Sequence, residues 1–167
     1  NDTVWVSISD SDMLMWFSGL LVNANHNVEI KKRDIYTIAL QGPKAIKLTE
    51  ELIDKKILSL SFFSFDFFNF KNTQVLVSKT GYSKQGGFEF LFDNAKIACE
   101  FWDFIIKEGK PFYIKVGCPN MIERVENALL SYGNDMTSRD TPYDCSLGKY
   151  CSIHMSYDYV GKISLIK

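Results

Sequence analysis

The alternation of apolar and polar side chains predicts several β-strands in this chain. A period of two is clearest in residues 63–67 (Phe-Ser-Phe-Asp-Phe), where every second residue is phenylalanine. That spacing places one row of side chains on a single face of a strand. Strand composition or alternation occurs in residues 4–8, 28–30, 35–40, 57–70, 74–78 and 88–92. We therefore predict a sheet built from these segments.

Apolar residues spaced three and four positions apart predict helices among these strands. The helical segments are 13–21, 44–53, 94–108 and 120–132. Pro43 can begin the second of them, Asn120 caps the fourth, and Gly109 and Gly133 end the last two. Because helices and strands alternate irregularly and include hairpin-like strand pairs, the predicted fold class is α+β rather than a doubly wound parallel sheet.

Composition and charge exclude several classes of function. The chain has 167 residues, 46% of them apolar, and 19 basic against 20 acidic residues give a formal net charge of -1. A near-neutral chain lacks the positive surface that grips a phosphate backbone, so we expect no nucleic-acid partner. No run approaches the roughly 18 apolar residues that would span a membrane, and we expect a cytoplasmic protein without a membrane partner.

Cysteine and histidine usage gives no metal site. The four cysteines never fall in a C-x-x-C spacing, and only two histidines are present, so a local zinc site is not expected and no metal is predicted. The chain begins without methionine, and its last residues still show periodicity. From these two features we expect a piece of a longer protein.

Glu89 is the sharpest anomaly in the predicted sheet. The strand 88–92 places its phenylalanines on one face, which leaves Glu89 on the other. A carboxylate in an apolar strand needs a partner, and its two acceptor oxygens suit a ligand edge with two parallel N–H donors. A simply solvated face is the alternative. The glycine pair 86–87, which permits a close approach of backbone to ligand, favours binding.

Arg124, Asp10 and Asp12 are further candidates that also have simpler interpretations. Arg124 lies off the apolar stripe of its predicted helix, so the default role is a surface ion pair. That stripe follows the spacing i, i+3, i+7, i+10: Ile122, Val125, Leu129 and Tyr132. Asp10 and Asp12 precede a helix, where carboxylates cap the first turn. The alternative role for either aspartate is to face a ligand at a strand-to-helix junction.

Four motifs in order resemble the folate-dependent T-protein (aminomethyltransferase) superfamily. They are residues 39–43 (Ala-Leu-Gln-Gly-Pro), 80–89 (Thr-Gly-Tyr-Ser through Gly-Phe-Glu), 124–135 (Arg-Val-Glu, then Leu-Ser-Tyr-Gly-Asn-Asp) and 141–142 (Thr-Pro). Residues 83–87, 117–120, 122–126 and 129–135 are most similar to the dimethylsulfoniopropionate demethylase branch of that superfamily. The glycine-cleavage branch has an arginine, used on the folate carboxylate side, where this chain has Asn120.

The resemblance implies a fold and a division of the chain. The implied fold is an α+β folate-binding T-protein fold with a ferredoxin-like sheet and packed helices, lacking the family's C-terminal β-barrel. Residues 1–33 would be the remainder of a small α+β subdomain. Residues 34–150 would form the main folate-binding domain, and residues 151–167 would connect toward the absent barrel.

The resemblance also implies a cofactor, a reaction and site residues. The cofactor is tetrahydrofolate, and the reaction transfers a methyl group to it from dimethylsulfoniopropionate, a small sulfonium substrate. Glu89 would grip the pterin edge, Tyr82 would pack its ring against the folate, and Arg124 is the third cofactor-binding candidate. Asp10 or Asp12 would be the catalytic carboxylate near the reacting nitrogen. Aminomethyl transfer, an inactive folate-binding module and a homodimer remain open alternatives.

Overall fold

A computed structural model of the chain describes residues 2–8, 13–118 and 121–166. The chain divides into two compact units. The larger unit is Asp12–Leu129, and the smaller unit combines Asn1–Ser11 with Leu130–Lys167. The larger unit contains the sheet and the candidate site. The predicted boundaries after residues 33 and 150 stay predictions.

The order of elements in the described residues mixes helices and strands, as an α+β fold does. The strands are β1 (Tyr36–Gln41), β2 (Phe65–Phe70), β3 (Thr73–Ser78) and β4 (Gly87–Phe92). The helices are α1 (Met13–Leu21), α2 (Ala45–Leu52), α3 (Ala95–Glu108), α4 (Met121–Glu126) and α5 (Lys162–Ile166). Short 3₁₀ turns occupy Lys55–Ser59, Lys110–Phe112 and Gly148–Tyr150. Within the described ranges, none of the helices has the length and apolarity needed to cross a bilayer.

The four strands pair in the order β1-β4-β3-β2, and every pairing is antiparallel. β2 and β3 form a hairpin whose turn residues Lys71 and Asn72 have positive φ angles of 45° and 64°, as a tight hairpin turn requires. β1 pairs with β4 and sets Gln41 opposite Gly87. β4 is therefore a central strand, with β1 and β3 as its neighbours.

Alternate side chains of β4 form the centre of the hydrophobic core. Phe88, Phe90 and Phe92 are buried, as the sequence predicts. The ring of Phe101 on α3 packs against two of them, with its centroid 4.7 Å from that of Phe90 and 5.1 Å from that of Phe92. α2 adds Leu48 to the same cluster. Each such buried side chain contributes about 1.5–3 kcal/mol, and this burial fixes which face of β4 points inward.

The predicted α+β fold class is confirmed by the antiparallel sheet and its packed helices. α1 to α3, β1, β3 and β4 lie within one residue of their predicted bounds. Asn94 caps α3 by accepting hydrogen bonds from the backbone N–H groups of Lys96 and Ile97, at 2.9 and 3.2 Å. For α2, α3, β1, β3 and β4, local signals were sufficient because their apolar periodicity matches the face that the core buries. α1 has no buried residue, and its helical spacing alone predicted it.

Two predicted strands are wrong. Residues 4–8 and 28–30 have irregular backbone, and Val4, Val6 and Val28 are exposed. Apolar and β-branched composition favours a strand only where a neighbouring strand satisfies the backbone and covers the side chains. Composition alone does not indicate whether a neighbouring strand is present.

The phenylalanine-rich segment 57–70 is only partly a strand. Its first part forms the 3₁₀ turn around the buried Ile57, and β2 begins only at Phe65. Phe65 and Phe67 are 61% and 47% exposed, whereas Phe68 is 8% exposed and pairs with Val75 of β3. The period of two is therefore present, but the core takes the opposite face from the one that the spacing at 63–67 suggests.

Two consecutive Thr-x-x-Asp turns shape the smaller unit. The N–H and hydroxyl of Thr141 both donate to Asp144 Oδ2, at 2.8 and 2.7 Å. Thr137 makes the same two bonds to Asp140, at 2.7 and 3.1 Å. Hydrogen bonds to a carboxylate favour its charged form. The Thr141 hydroxyl, followed by its N–H, therefore lowers the pKa of Asp144 from its ordinary value.

Thr141→Val should raise the pKa of Asp144, because valine removes the hydroxyl donor and keeps only the backbone N–H. A lowered pKa in the folded state stabilises the fold above the unfolded-state pKa, and this contribution is lost as the pH falls through the folded-state pKa. The valine variant should lose part of it. An NMR titration of the carboxyl carbon measures the pKa, with Thr141→Ser as the control that keeps it low. An unchanged pKa in the valine variant contradicts the assignment.

Thr49→Val should stabilise the protein by about 1 kcal/mol, because it removes a buried hydroxyl that is not hydrogen-bonded. Thr49 is fully buried on α2, and its Oγ1 has no hydrogen-bond partner among the described residues. Valine has nearly the same size and leaves no unsatisfied polar atom. Urea unfolding measures the change, with the exposed Thr37→Val on β1 as the control. A destabilised Thr49→Val variant would contradict the prediction.

Candidate functional site

Glu89 lies on a central strand, on the sheet face opposite the core. It follows the buried Phe88 and stands opposite Ala39 on β1 and Ser78 on β3. The residue is half-buried. The hydroxyl of Thr80 donates a hydrogen bond to Glu89 Oε2, and the Oγ atoms of Ser78 and Thr80 are 2.5 Å apart. Because Thr80 gives its hydrogen to the carboxylate, Ser78 is the donor in the second contact.

Residues 79–86, called the glycine loop below, connect β3 to β4 beside Glu89. Gln41, the last residue of β1, contacts this loop at several points. Its Nε2 donates to the carbonyl oxygens of Thr80 and Phe88, at 3.0 and 3.2 Å. Its Oε1 accepts a hydrogen bond from the hydroxyl of Ser83 at 3.0 Å. The side chain of Gln41, on the edge strand β1, thus holds the loop that follows β3.

Glycine is required where the glycine loop enters β4. Gly87 has a φ of +130°, and a Cβ at this position would collide with the carbonyl oxygen of Leu40 and lie 2.9 Å from Gln41 Cα. The N–H of Gly42 donates to the carbonyl oxygen of Gly86 at 2.9 Å. The close approach of the two backbones therefore depends on the missing side chain at position 87.

α4 and the residue that follows it supply a second set of contacts to the glycine loop. Asn127 Nδ2 donates to the carbonyl oxygens of Ser83 and Glu123, at 3.2 and 2.8 Å. Lys84 Nζ donates to the carbonyl oxygen of Asn127 at 2.5 Å. Gln85 Nε2 donates to Glu123 Oε1 at 3.0 Å. The loop is thus held by residues before β2 and by residues after α3.

The predicted surface position of Arg124 is wrong. Arg124 is only 4% exposed, its Nη1 donates to the carbonyl oxygen of Leu129 at 3.2 Å, and its Nε lies 3.4 Å from Met121 Sδ. Two residues of the predicted apolar stripe are exposed instead, Ile122 at 70% and Val125 at 60%. α4 ends at Glu126 rather than before Gly133, so a periodicity extended over thirteen residues does not describe it.

The structure brings some of the predicted site residues into one neighbourhood. Glu89 is bonded to the glycine loop, which carries Tyr82, and α4, which carries Arg124, contacts the same loop. Tyr82 is 40% exposed, so its ring has surface for a ligand. Asp10 and Asp12 lie outside the described residues, as does Asn120. The roles of all these residues stay predictions.

Gln41, Thr80 and Asn127 are parts of the site that the sequence did not reveal. Gln41 belongs to the motif at residues 39–43, but its hydrogen-bond partners lie 39 to 47 residues away in the sequence. The available signal was a polar residue at the end of an apolar strand, directly before Gly42-Pro43. Asn127 was missed because the predicted helix 120–132 includes it. In the structure α4 ends at Glu126, and Asn127 is the residue that follows.

Histidines and cysteines take no part in the described site. The four cysteines are free thiols, and among the described residues no three His, Cys, Asp or Glu side chains could together hold a metal ion. The polar groups at Glu89 are hydroxyls, an amide and the carboxylate itself. Such a set can bind and orient a ligand through hydrogen bonds.

These observations define the class of protein as an α+β domain whose sheet carries a half-buried carboxylate, Glu89, on the face opposite the core. Comparison with known proteins then gives the family. The model of the GCVT N-terminal domain matches residues 1–155. The chain therefore belongs to the GCVT N-terminal domain family, which confirms the superfamily resemblance seen in its motifs.

Relatives with curated names fall into two groups. The chain is 38% identical over 164 residues to dimethylsulfoniopropionate demethylase of Ruegeria pomeroyi, which covers 98% of this chain and 44% of the relative. It is 32% identical over 150 residues to an aminomethyltransferase of Thermotoga neapolitana, covering 86% of the chain and 40% of that relative. An aminomethyltransferase of Thermoanaerobacter sp. matches at 31% over 148 residues, 85% of the chain and 39% of the relative. The chain thus spans less than half the length of these relatives.

Gly87→Ala should destabilise the larger unit by about 2 kcal/mol or more, because alanine meets both an unfavourable φ and the Leu40 carbonyl. Thermal and urea unfolding measure the loss. Gly117→Ala is the matched control, since a Cβ at Gly117 meets no atom within 4 Å. Equal stability of the two variants would show that β1 and β4 do not approach as described.

Proposed function

We propose that this chain forms the folate-binding part of a tetrahydrofolate-dependent methyltransferase that takes its methyl group from dimethylsulfoniopropionate. The observation that carries the proposal is the 38% identity to dimethylsulfoniopropionate demethylase across 98% of the chain. The identity to the aminomethyltransferases is lower, at 30–32%. The difference favours methyl transfer over aminomethyl transfer.

The surroundings of Glu89 fit a folate. The Thr80 hydroxyl engages Oε2, and no described residue donates a hydrogen bond to Oε1. A carboxylate with one anchored oxygen and one available oxygen can accept the parallel N–H donors of a pterin edge. The exposed ring of Tyr82 on the adjacent loop can pack against a flat ligand. Both side chains thus support the cofactor that the family resemblance implies.

Tetrahydrofolate, when bound, would supply the nitrogen nucleophile that takes up the methyl group. The electron pair of the broken C–S bond would stay on sulfur, and the proton of the methylated nitrogen would be released to solvent. The chain's own residues would bind and orient the cofactor and the methyl donor, and would exclude water. Glu89 would fix the pterin edge and Tyr82 its plane. Arg124 would support α4 against the glycine loop, and Asp10 or Asp12 would be the carboxylate near the reacting nitrogen.

Aminomethyl transfer is the second candidate, and the named aminomethyltransferases among the relatives support it. The two candidates share the cofactor and differ in the donor. Dimethylsulfoniopropionate with tetrahydrofolate gives 5-methyltetrahydrofolate in the first case. An aminomethyl group on a lipoyl carrier protein gives methylenetetrahydrofolate in the second. Offering each donor to the same preparation and identifying the folate product distinguishes them.

Glu89→Gln should weaken the binding of tetrahydrofolate by tenfold or more, because the amide has one acceptor oxygen where the carboxylate has two. Hydrogen bonds to a charged group contribute about 1.5–3 kcal/mol. Anaerobic calorimetric titration of the 167-residue chain measures the dissociation constant.

Glu51→Gln is the matched control for this titration. Glu51 is an exposed residue of α2 whose carboxylate pairs with Lys47 at 3.7 Å, so its neutralisation should leave folate binding unchanged. Equal binding by the parent and the Glu89 variant would remove Glu89 from the site. A folded parent that binds no tetrahydrofolate would overturn the proposal for this chain.

A further inference from the structure

We propose that Gln41 is a positioning residue of the site, whose side-chain amide holds the glycine loop in the conformation in which Thr80 meets Glu89. The ligand in this inference rests on the proposed function, whereas the effect on the loop does not. Gln41 itself touches no reacting group. It acts through Thr80. The amide of Gln41 holds the backbone carbonyl of Thr80, and the hydroxyl of Thr80 holds the carboxylate of Glu89.

The amide of Gln41 bridges the two ends and the middle of the glycine loop. Thr80 stands at the beginning of the loop, Phe88 just after its end and Ser83 between them. Both Nε2 hydrogens are used, one on each carbonyl at the ends, and Oε1 receives the Ser83 hydroxyl. A glutamine side chain offers two donors and an acceptor in one plane. The three partners match that set.

The partners also determine which way the amide is oriented. Two of them are carbonyl oxygens, which can only accept, so the NH₂ group must face them. The third is a hydroxyl, which can donate to the remaining oxygen. Turning the amide over would place Oε1 against the carbonyl oxygens of Thr80 and Phe88. The contact is therefore specific for a glutamine in one orientation.

Packing at Gly81 supports the same conclusion independently of the hydrogen bonds. A Cβ on Gly81 would collide with Oε1, Cδ and Nε2 of Gln41. The loop backbone thus lies directly on the amide plane. Both the absence of a side chain at position 81 and the length of the side chain at position 41 are needed for this fit.

Thr80 transmits the effect of Gln41 to Glu89. Its carbonyl accepts from Gln41, and its hydroxyl donates to Glu89 Oε2. Glycine-rich segments lose much conformational entropy when they are ordered. If the loop is ordered before the ligand binds, this entropy loss does not reduce the free energy of binding. The apparent affinity therefore rises with the fraction of molecules whose loop has the binding conformation.

Gln41→Met is the test variant, because methionine keeps the length of the side chain and removes all three hydrogen bonds. Gln74→Met is the matched control, since Gln74 is an exposed glutamine on β3 of the same sheet. Hydrogen–deuterium exchange of the unliganded chain reports the loop, and titration with tetrahydrofolate reports the site. Val75 and Val77 in the core serve as internal exchange references.

The expected result for Gln41→Met is exchange about tenfold faster at Gly42 and Gln85, whose N–H groups donate to the Gly86 carbonyl oxygen and the Ser83 hydroxyl. Exchange at Val75 and Val77 should be unchanged, and the dissociation constant for tetrahydrofolate should be about tenfold higher. Gln74→Met should match the parent in both measurements. Gln41→Glu should behave like the methionine variant, because a carboxylate cannot donate to the Thr80 and Phe88 carbonyls. A side chain that only fills space would be replaced by methionine without effect.

Two outcomes overturn the inference. Parental exchange in the loop of Gln41→Met would show that the amide does not hold it, whatever the ligand. Faster loop exchange with an unchanged dissociation constant would show that loop order does not matter for binding. A folded parent that binds no tetrahydrofolate rejects the proposed function instead, and the exchange measurement alone then decides whether Gln41 orders the loop.

Discussion

Burial of alternate phenylalanines on β4 is the constraint on which the rest of the structure depends. Phe88, Phe90 and Phe92 pack under α3, and a strand that buries one face must turn the intervening residues to the other. The core therefore fixes the direction in which Glu89 points. A one-residue slip in the pairing of β4 would bury the carboxylate and expose three aromatic rings, so the position of Glu89 is as secure as the core itself.

The candidate site combines parts of the chain that are distant in sequence. β4 carries the carboxylate, and the end of β1 carries the amide of Gln41. β3 and the loop after it carry the hydroxyls of Ser78, Thr80 and Ser83. Asn127 follows α4 and contacts the same loop. Among the described side chains, those around Glu89 are suited to orientation more than to proton transfer. A sulfonium already carries a good leaving group, the neutral thioether, so a site that aligns donor and acceptor is sufficient for the proposed reaction.

Prediction from the sequence succeeded where the apolar pattern allows only one face of a strand to be buried. It failed where the pattern allows either face to be buried. The strand of Phe88, Phe90 and Phe92 has three aromatic residues on one face and Glu89 on the other, so its buried side followed directly. Segment 63–70 has phenylalanines on both faces, and only pairing with β3 decides that Phe68 is buried. Arg124 and Gln41 were misjudged or missed for a related reason. Their partners include carbonyl oxygens, that of Leu129 for Arg124 and those of Thr80 and Phe88 for Gln41. Every residue has such an oxygen, and no sequence pattern marks the one that is used.

The pairing of β1 with β4 has a consequence for how the chain is made. Gln41 and Gly87 are direct partners although roughly fifty residues separate them, whereas β2 and β3 are joined by a two-residue turn. Closing a long loop is slower than forming a hairpin. On the ribosome, β1 emerges first and has no strand to pair with until β4 has been synthesised. Gln41 and Glu89 therefore become neighbours only after β4 has been synthesised. Until then β1, with its apolar Leu40, is an unpaired strand that could pair with other chains.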